Sequence, residues 1–382
     1  CSEVLGDMLA PIDAALALKV YYASGEAHEK VMNCLLKTQQ FDRIIPYAQE
    51  KSYTPNWHFV LHSVVTVNPA QALQMALSLY KNASGPLVEI AVVVETFMTN
   101  HRLQETTTFL LDVLEGDKEE EGPWQTKVLE LNLVNRQQQV ADSILAMNMF
   151  HHFDRNHIAK ICEQTGVFKR ALELYEDMED IKRVLVHTQA IPADFLLTFF
   201  GTLSADKCIL CLKELLKNSV RQNLQIVVKV ATKYSEELTP EALIEMFKAY
   251  NSHEGLYYYL GSIVNTSENA EVHYEYIVAA AKCQQYKEVE RVCRDSTAYD
   301  PERVRDFLIE AHLPDPRALI QVGDRHGFVD AVTAYLWKNN QKDFINVYVQ
   351  RVRPAMTPTV VGKLLDLDAD EEYIKSLLNS VR

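Results

Sequence analysis

One spacing, recurring along the chain, limits the possible folds more than any single residue does. From Ile158 to Thr188, the apolar residues Ile158, Ile161 and Cys162, then Phe168, Ala171, Leu172 and Tyr175, fall three and four apart. Side chains at that spacing line one face of an α-helix, so the stretch reads as two short amphipathic helices. Thr165-Gly166 lies between them, and glycine closes a helix in the left-handed conformation at little steric cost. A hairpin of this size cannot bury its own apolar seam. It needs neighbours.

Those neighbours emerge when Phe168 is used as an anchor, because Phe41, Tyr286 and Phe328 have the same surroundings. Six residues before the anchors stand Leu35, Cys162, Ala280 and Val322, and ten before them Val31, Ile158, Tyr276 and Ala318. Three residues after come Ile44, Ala171, Val289 and Ala331, and six after come Tyr47, Leu174, Val292 and Ala334. Position two after the anchor is always polar: Arg43, Arg170, Glu288, Asp330. One helical hairpin reused with drift is the mark of stacked repeats.

Helix starts punctuate the rest of the chain. Pro11 to Ala23 reads as a first helix, turned at Gly25. Thr54 can cap a helix with Pro55 in its first turn, and Asn68-Pro69 starts another in the same way. Leu87 to Phe97 is valine-rich, but Glu89 and Glu95 interrupt a strand's alternation, so it reads as helix. Ile191-Pro192, Thr239-Pro240, Asp300-Pro301 and Thr357-Pro358 open further helices. No alternating strand with a hairpin turn appears. The expected fold class is all-α: an α-α superhelix, or solenoid, of stacked TPR-like helical hairpins.

At 382 residues the chain exceeds the usual size of one compact core. Residues 1–114 are expected to form the first hairpins and 115–123 an acidic, solvated connecting loop. Residues 124–382 are expected to continue one solenoid truncated at both ends. The net charge of −14 argues against nucleic acid or an anionic membrane as the main partner, since both call for clustered Lys and Arg and no basic run is present. Seven dispersed cysteines suit free thiols in a reducing compartment. No charged-then-apolar leader and no uncharged run of about eighteen residues suggests export or a membrane span.

Each motif that might carry chemistry has a plainer reading. Cys208 and Cys211 form a CxxC, but inside a helical pattern with no second pair, where zinc needs about four ligands. His58 and His62 share a helix face, yet Phe59 replaces the glutamate a zincin helix requires. His151, His152, Asp154 and His157 are the densest metal-like cluster, and Asp154 reads as a helix cap. Gly323 and Gly327 follow no strand and form no phosphate loop. Glu119-Glu120 lies in sequence that would not hold two carboxylates at fixed separation, and Tyr257, Tyr258 and Tyr259 read as core and seam. No catalytic, cofactor-binding or metal residue is expected, and no enzyme.

The quoted strings also resemble a known family. YTPNW (Tyr53–Trp57), EGPWQTKVLELNL (Glu121–Leu133), DRNHIAKICEQTG (Asp154–Gly166), RQNLQIVVKVATKY (Arg221–Tyr234), EGLYYYLGSIVN (Glu254–Asn265) and KEVERVCRDSTAYDPERVRDFL (Lys287–Leu308) are similar, in order, to the clathrin heavy chain family. The similar region of that family is the distal leg that follows its β-propeller. The resemblance implies repeat hairpins that form the legs of a three-legged coat protein, on the cytoplasmic face of coated pits and vesicles. It implies neighbouring heavy-chain legs as partners, with adaptors and auxilin close by. Light-chain binding and trimerisation lie outside the similar segment. Neither nucleic acid binding nor membrane insertion is implied. Rival readings are a vacuolar sorting or tethering subunit with the same repeat, and a peptide-binding helical repeat module.

Overall fold

The computed structural model describes residues 3–380. Among them every regular element is helical. The chain divides into two compact units, one running to Tyr175 and the other starting at Glu176.

The first unit opens with α1 (Glu3–Leu9), α2 (Ala14–Ser24), α3 (His28–Lys37), α4 (Ile44–Glu50), α5 (Trp57–Val67) and α6 (Pro69–Tyr80). It continues with α7 (Ile90–Thr99), α8 (Leu103–Val113), α9 (Gly122–Val134), α10 (Gln138–Ala146), α11 (Arg155–Gln164) and α12 (Phe168–Leu174). Consecutive helices pack in α1–α2–α3, α5–α6, α7–α8–α9–α10 and α11–α12, and α3, α5, α6 and α9 also pack on the next but one, α5, α7, α8 and α11. That is the two-layer arrangement of stacked hairpins.

The second unit opens with α13 (Met178–Leu185), α14 (Ala193–Phe200), α15 (Ala205–Asn218), α16 (Val220–Lys233), the single turn α17 (Ser235–Leu238) and α18 (Pro240–Ala249). After these come α19 (His253–Ile263), α20 (Ala270–Lys282), α21 (Tyr286–Asp295), α22 (Pro301–Ala311) and α23 (Arg317–His326). It ends with α24 (Val329–Lys338), α25 (Lys342–Val347), α26 (Thr357–Asp366) and α27 (Glu371–Ser380). The same stacking recurs in α13 on α15, α14 on α16, α16 on α19, α20 on α22, α21 on α23 and α24 on α26. Each unit is an all-α stack of the solenoid kind.

The turn between paired helices explains the repeat. The residue two before each anchor has positive φ: Gln39 at 57°, Gly166 at 81° and Gln284 at 60°. The next amide then reaches back five residues, Gln40 to the Leu35 carbonyl at 3.0 Å, Val167 to Cys162 at 2.7 Å and Gln285 to Ala280 at 2.8 Å. This is the Schellman closure, which satisfies carbonyls left open at a helix end. Arg102 to Phe97, Gln137 to Asn132, Ser252 to Phe247 and Gln341 to Leu336 repeat it. Most of these left-handed positions are not glycine, so a search for glycine alone finds few of them.

The same bond corrects the fourth anchor. Phe328 donates to the Gly323 carbonyl at 2.9 Å and Gly327 holds φ at 78°. By that rule the anchor is Val329 rather than Phe328. Its partners are then Gly323, Val332 and Tyr335, all buried, whereas Ala331 and Ala334 are half-buried. Aromatic identity misled the alignment by one residue, while the turn geometry fixes it.

Other starts shift for local reasons. Asp13 accepts from the amides of Ala15 and Leu16, so α2 begins at Ala14 and leaves Pro11 outside. Asn56 caps α5 through the Phe59 amide, which displaces Thr54 and Pro55 into the preceding loop. Asn68-Pro69 opens α6 as its sequence implies. On α6 the buried face is Ala72, Met75, Ala76 and Leu79.

Ala171 is fully buried on α12, facing the seam with α11. Ala171→Arg should cost about 3 kcal/mol or more, because a guanidinium there has neither room nor a partner. Urea unfolding of the variant beside wild type checks this. An unchanged midpoint would mean the seam lies elsewhere.

Candidate functional site

The structure scatters the motifs that might have carried chemistry. Cys208 and Cys211 are buried on α15, and burial pushes their thiols up to about 12 and about 11. Thiols held that far above neutrality stay protonated and are poor nucleophiles or metal ligands. His58 and His62 stack at 6.5 Å on the exposed side of α5, and His62 Nδ1 lies 3.2 Å from Asn100 Nδ2. Asp154 caps α11 by accepting from the His157 amide at 3.0 Å. Among the described residues no group of three or more His, Cys, Asp and Glu side chains could hold a metal ion.

The glycines and tyrosines serve packing. A Cβ at Gly323 would sit 2.3 Å from Val332 Cγ2, so α23 and α24 meet there as closely as they do only because the side chain is missing. Tyr259 is buried against Phe247 and shares a 2.8 Å hydrogen bond with Ser235, and Tyr257 stacks on Tyr276 at 5.5 Å. Tyr258 alone of the three is exposed.

The acidic stretch 115–123 is more ordered than a solvated loop. Glu119–Glu121 forms a 3-10 turn leading into α9, and Glu121 is buried while Glu119 and Glu120 are exposed. Asp117 accepts from Gln125 Nε2 at 2.9 Å, from the His151 amide at 3.1 Å and from His151 Nδ1 at 2.6 Å. Gln125 Oε1 accepts from the His152 amide at 3.0 Å, and Thr126 Oγ1 from the Asp154 amide at 2.9 Å. Gly122 completes the joint, since a Cβ there would meet the His152 carbonyl oxygen at 2.5 Å. The histidine cluster is thus a clasp fastening the approach to α11 onto α9, held by one carboxylate.

What the stack does present is a repeated set of ties between next-but-one helices. Arg170 reaches Asp142 at 2.6 Å, joining α12 to α10. Lys248 on α18 reaches the buried Glu275 on α20 at 2.6 Å. Arg303 on α22 reaches Glu271 on α20 at 2.6 Å, and its guanidinium lies 3.9 Å from the Tyr274 ring centre. Arg325 near the end of α23 donates to the carbonyls of Arg294 and Ser296, where α21 ends. Two buried Asn residues add polar rungs that the sequence did not announce. Asn132 bonds Thr107 at 3.0 Å, and Asn223 accepts from Thr188 Oγ1 at 2.7 Å while donating to the Leu215 carbonyl at 2.8 Å. Asn inside an apolar seam is the available signal for them.

These stacks are those of an all-α helical repeat protein. The family model described as the region in clathrin and VPS matches residues 81–224 and 231–372. Over its whole length the chain is 47% identical to clathrin heavy chain 2 of Homo sapiens and 47% identical to the clathrin heavy chain of Drosophila melanogaster. The clathrin heavy chain of Dictyostelium discoideum is 46% identical over 383 residues. This chain spans 23%, 23% and 22% of those proteins. The chain belongs to the clathrin repeat family, and the relatives named match it over its whole length.

The clasp has a defined pH response. Hydrogen bonding from His151, the largest influence, holds the Asp117 carboxyl below its usual range. A carboxyl lowered in the folded state stabilises it above the ordinary carboxylate pKa, and that gain disappears as pH falls through the lowered value. Asp117→Asn should therefore lower thermal stability at neutral pH, with the difference from wild type closing in strong acid. Calorimetry across that range reads the effect, and a difference constant with pH would exclude the clasp as its source.

Proposed function

We propose that this chain is a leg segment of a clathrin-type coat, a structural element that carries no catalysis. The observation that supports it best is identity of 46–47% to clathrin heavy chains over the whole of this chain. A stack with only neighbour-to-neighbour contacts is elastic and offers long lateral surfaces. Many weak lateral contacts, added over many legs, give a coat that holds together yet can be dismantled. In this reading the partners are neighbouring legs, with adaptors and auxilin in the assembled coat, on the cytoplasmic face of coated pits and vesicles. Light chains bind elsewhere on the heavy chain. Residues 1–114, 115–123 and 124–382 are successive parts of one array, with 115–123 its acidic joint. Among the described residues no helix is long and apolar enough to cross a membrane.

A chimera tests the proposal. The matching segment of the Drosophila melanogaster heavy chain is replaced by this chain, and assembly is followed by light scattering and electron microscopy. Closed cages are the expected product. A folded, trimeric chimera that forms none would overturn the reading.

A further inference from the structure

The sequence contains no basic run, but the α16 helix assembles a basic stripe. Arg221, Lys229 and Lys233 are exposed on α16, and Gln222, Gln225 and Thr232 are exposed between them. Steps of four and eight residues keep cations on one side of a helix, here over about 18 Å. No carboxylate lies anywhere in Val220–Lys233, in a chain whose net charge is −14. Arg221 and Lys229 have no ion pair or hydrogen bond among the described residues, and Lys233 only overlies the ring of its neighbour Tyr234 at 5.1 Å. Among the helices packed on α16, α14 and α19 expose one carboxylate each, Asp194 and Glu254, and α15 exposes Asp206. The turn α17 just past Lys233 exposes Glu236 and Glu237, so Arg221 and Lys229 are, of the three cations, the ones farther in sequence from a carboxylate. Among the described residues, seventeen other Lys and Arg side chains, including Arg170, Lys248 and Arg303, pair with a carboxylate within their own stack; these three are free for an outside partner.

Resting on the leg-segment reading, we propose that the α16 stripe docks a second copy of this chain through that copy's acidic turn, Glu119 and Glu120 with Glu115 beside them. Both sides are exposed, and Glu119 and Glu120 make no ion pair among the described residues. The 3-10 turn and the Asp117 clasp hold the acidic side in a fixed shape, so its carboxylates need little ordering on contact. An anionic membrane fits less well. Stable electrostatic membrane binding takes roughly four to eight clustered cations, and the remaining surface is repelled. Two chains of the same negative charge otherwise repel each other, so a patch of opposite sign sets where, and in what register, they touch.

Charge reversal tests the docking on this 382-residue chain. One variant carries Arg221→Glu, Lys229→Glu and Lys233→Glu, and the other Glu115→Lys, Glu119→Lys and Glu120→Lys. Circular dichroism and unfolding midpoints first establish that both fold as wild type does. Sedimentation velocity at about 0.02 M and about 0.15 M salt, where screening lengths differ more than twofold, then reads self-association. Wild type should associate more strongly at low salt. Each variant alone should associate roughly tenfold or more weakly, as expected for three exposed pairs turned repulsive. An equimolar mixture of the two should recover association. Wild-type-like association of either variant alone, or no recovery on mixing, overturns the proposal. So does binding to phosphatidylserine vesicles that the stripe variant loses while self-association is unaltered. In the chimeric heavy chain the two readings fail differently. Without the leg role no cages form with the unaltered segment, whereas without this contact the charge-reversed segment assembles as well as the unaltered one.

Discussion

Everything in this chain depends on an apolar seam that no hairpin can bury alone. A pair of helices about ten residues long exposes Ile158, Cys162, Ala171 and Leu174 on one side, and burying them requires the hairpins before and after. Small residues let the pairs approach: Ala171 and Ala280 are fully buried, and Gly323 takes the place of Ala280 in a later repeat. Because hydrophobic gain scales with area removed from water, each unit is held by the sum of its interfaces. No single deep core does that work. The Schellman turns make this possible by reversing the chain without leaving helix-end carbonyls open.

On this apolar framework the polar groups fix register. Buried Asn132 and Asn223 each find two or more partners in the seam, and a shift of one helical turn would strand them. A stranded buried polar group costs about 1–3 kcal/mol, enough to select one packing among several similar ones. The ion pairs between next-but-one helices are mostly half-exposed and contribute little individually. Their value is geometric: Arg303 and Lys248 meet carboxylates on the same helix, α20, from opposite neighbours.

The helix spacing at Ile158 to Tyr175 and the caps at Asn68, Asp154 and Asp300 were legible in the residues, because periodicity and N-caps are local signals. The anchor at Val329 was not, since Phe328 mimics the aromatic at the equivalent place and only the backbone bond to Gly323 separates them. The clasp was not legible. Asp117 stands in an acidic run that reads as a connecting loop, and His151 and His152 in a cluster whose metal-like look gives way to a plainer reading, with no partner in view for either. They meet across 34 residues of sequence, which no local pattern reports.

The residues by themselves determined the class of the fold, the hairpin as its unit and the kinship with clathrin heavy chains, because each is written in short-range spacing and in contiguous strings. Tertiary structure decided what lies between repeats: which alanines face a seam, which Asn is buried, and which carboxylate holds which histidine. It also decided the surface. Arg221, Lys229 and Lys233 are separated by uncharged residues in the sequence, and only the 100° step of a folded helix, with α14 and α19 packed beside it, places them together on an open face.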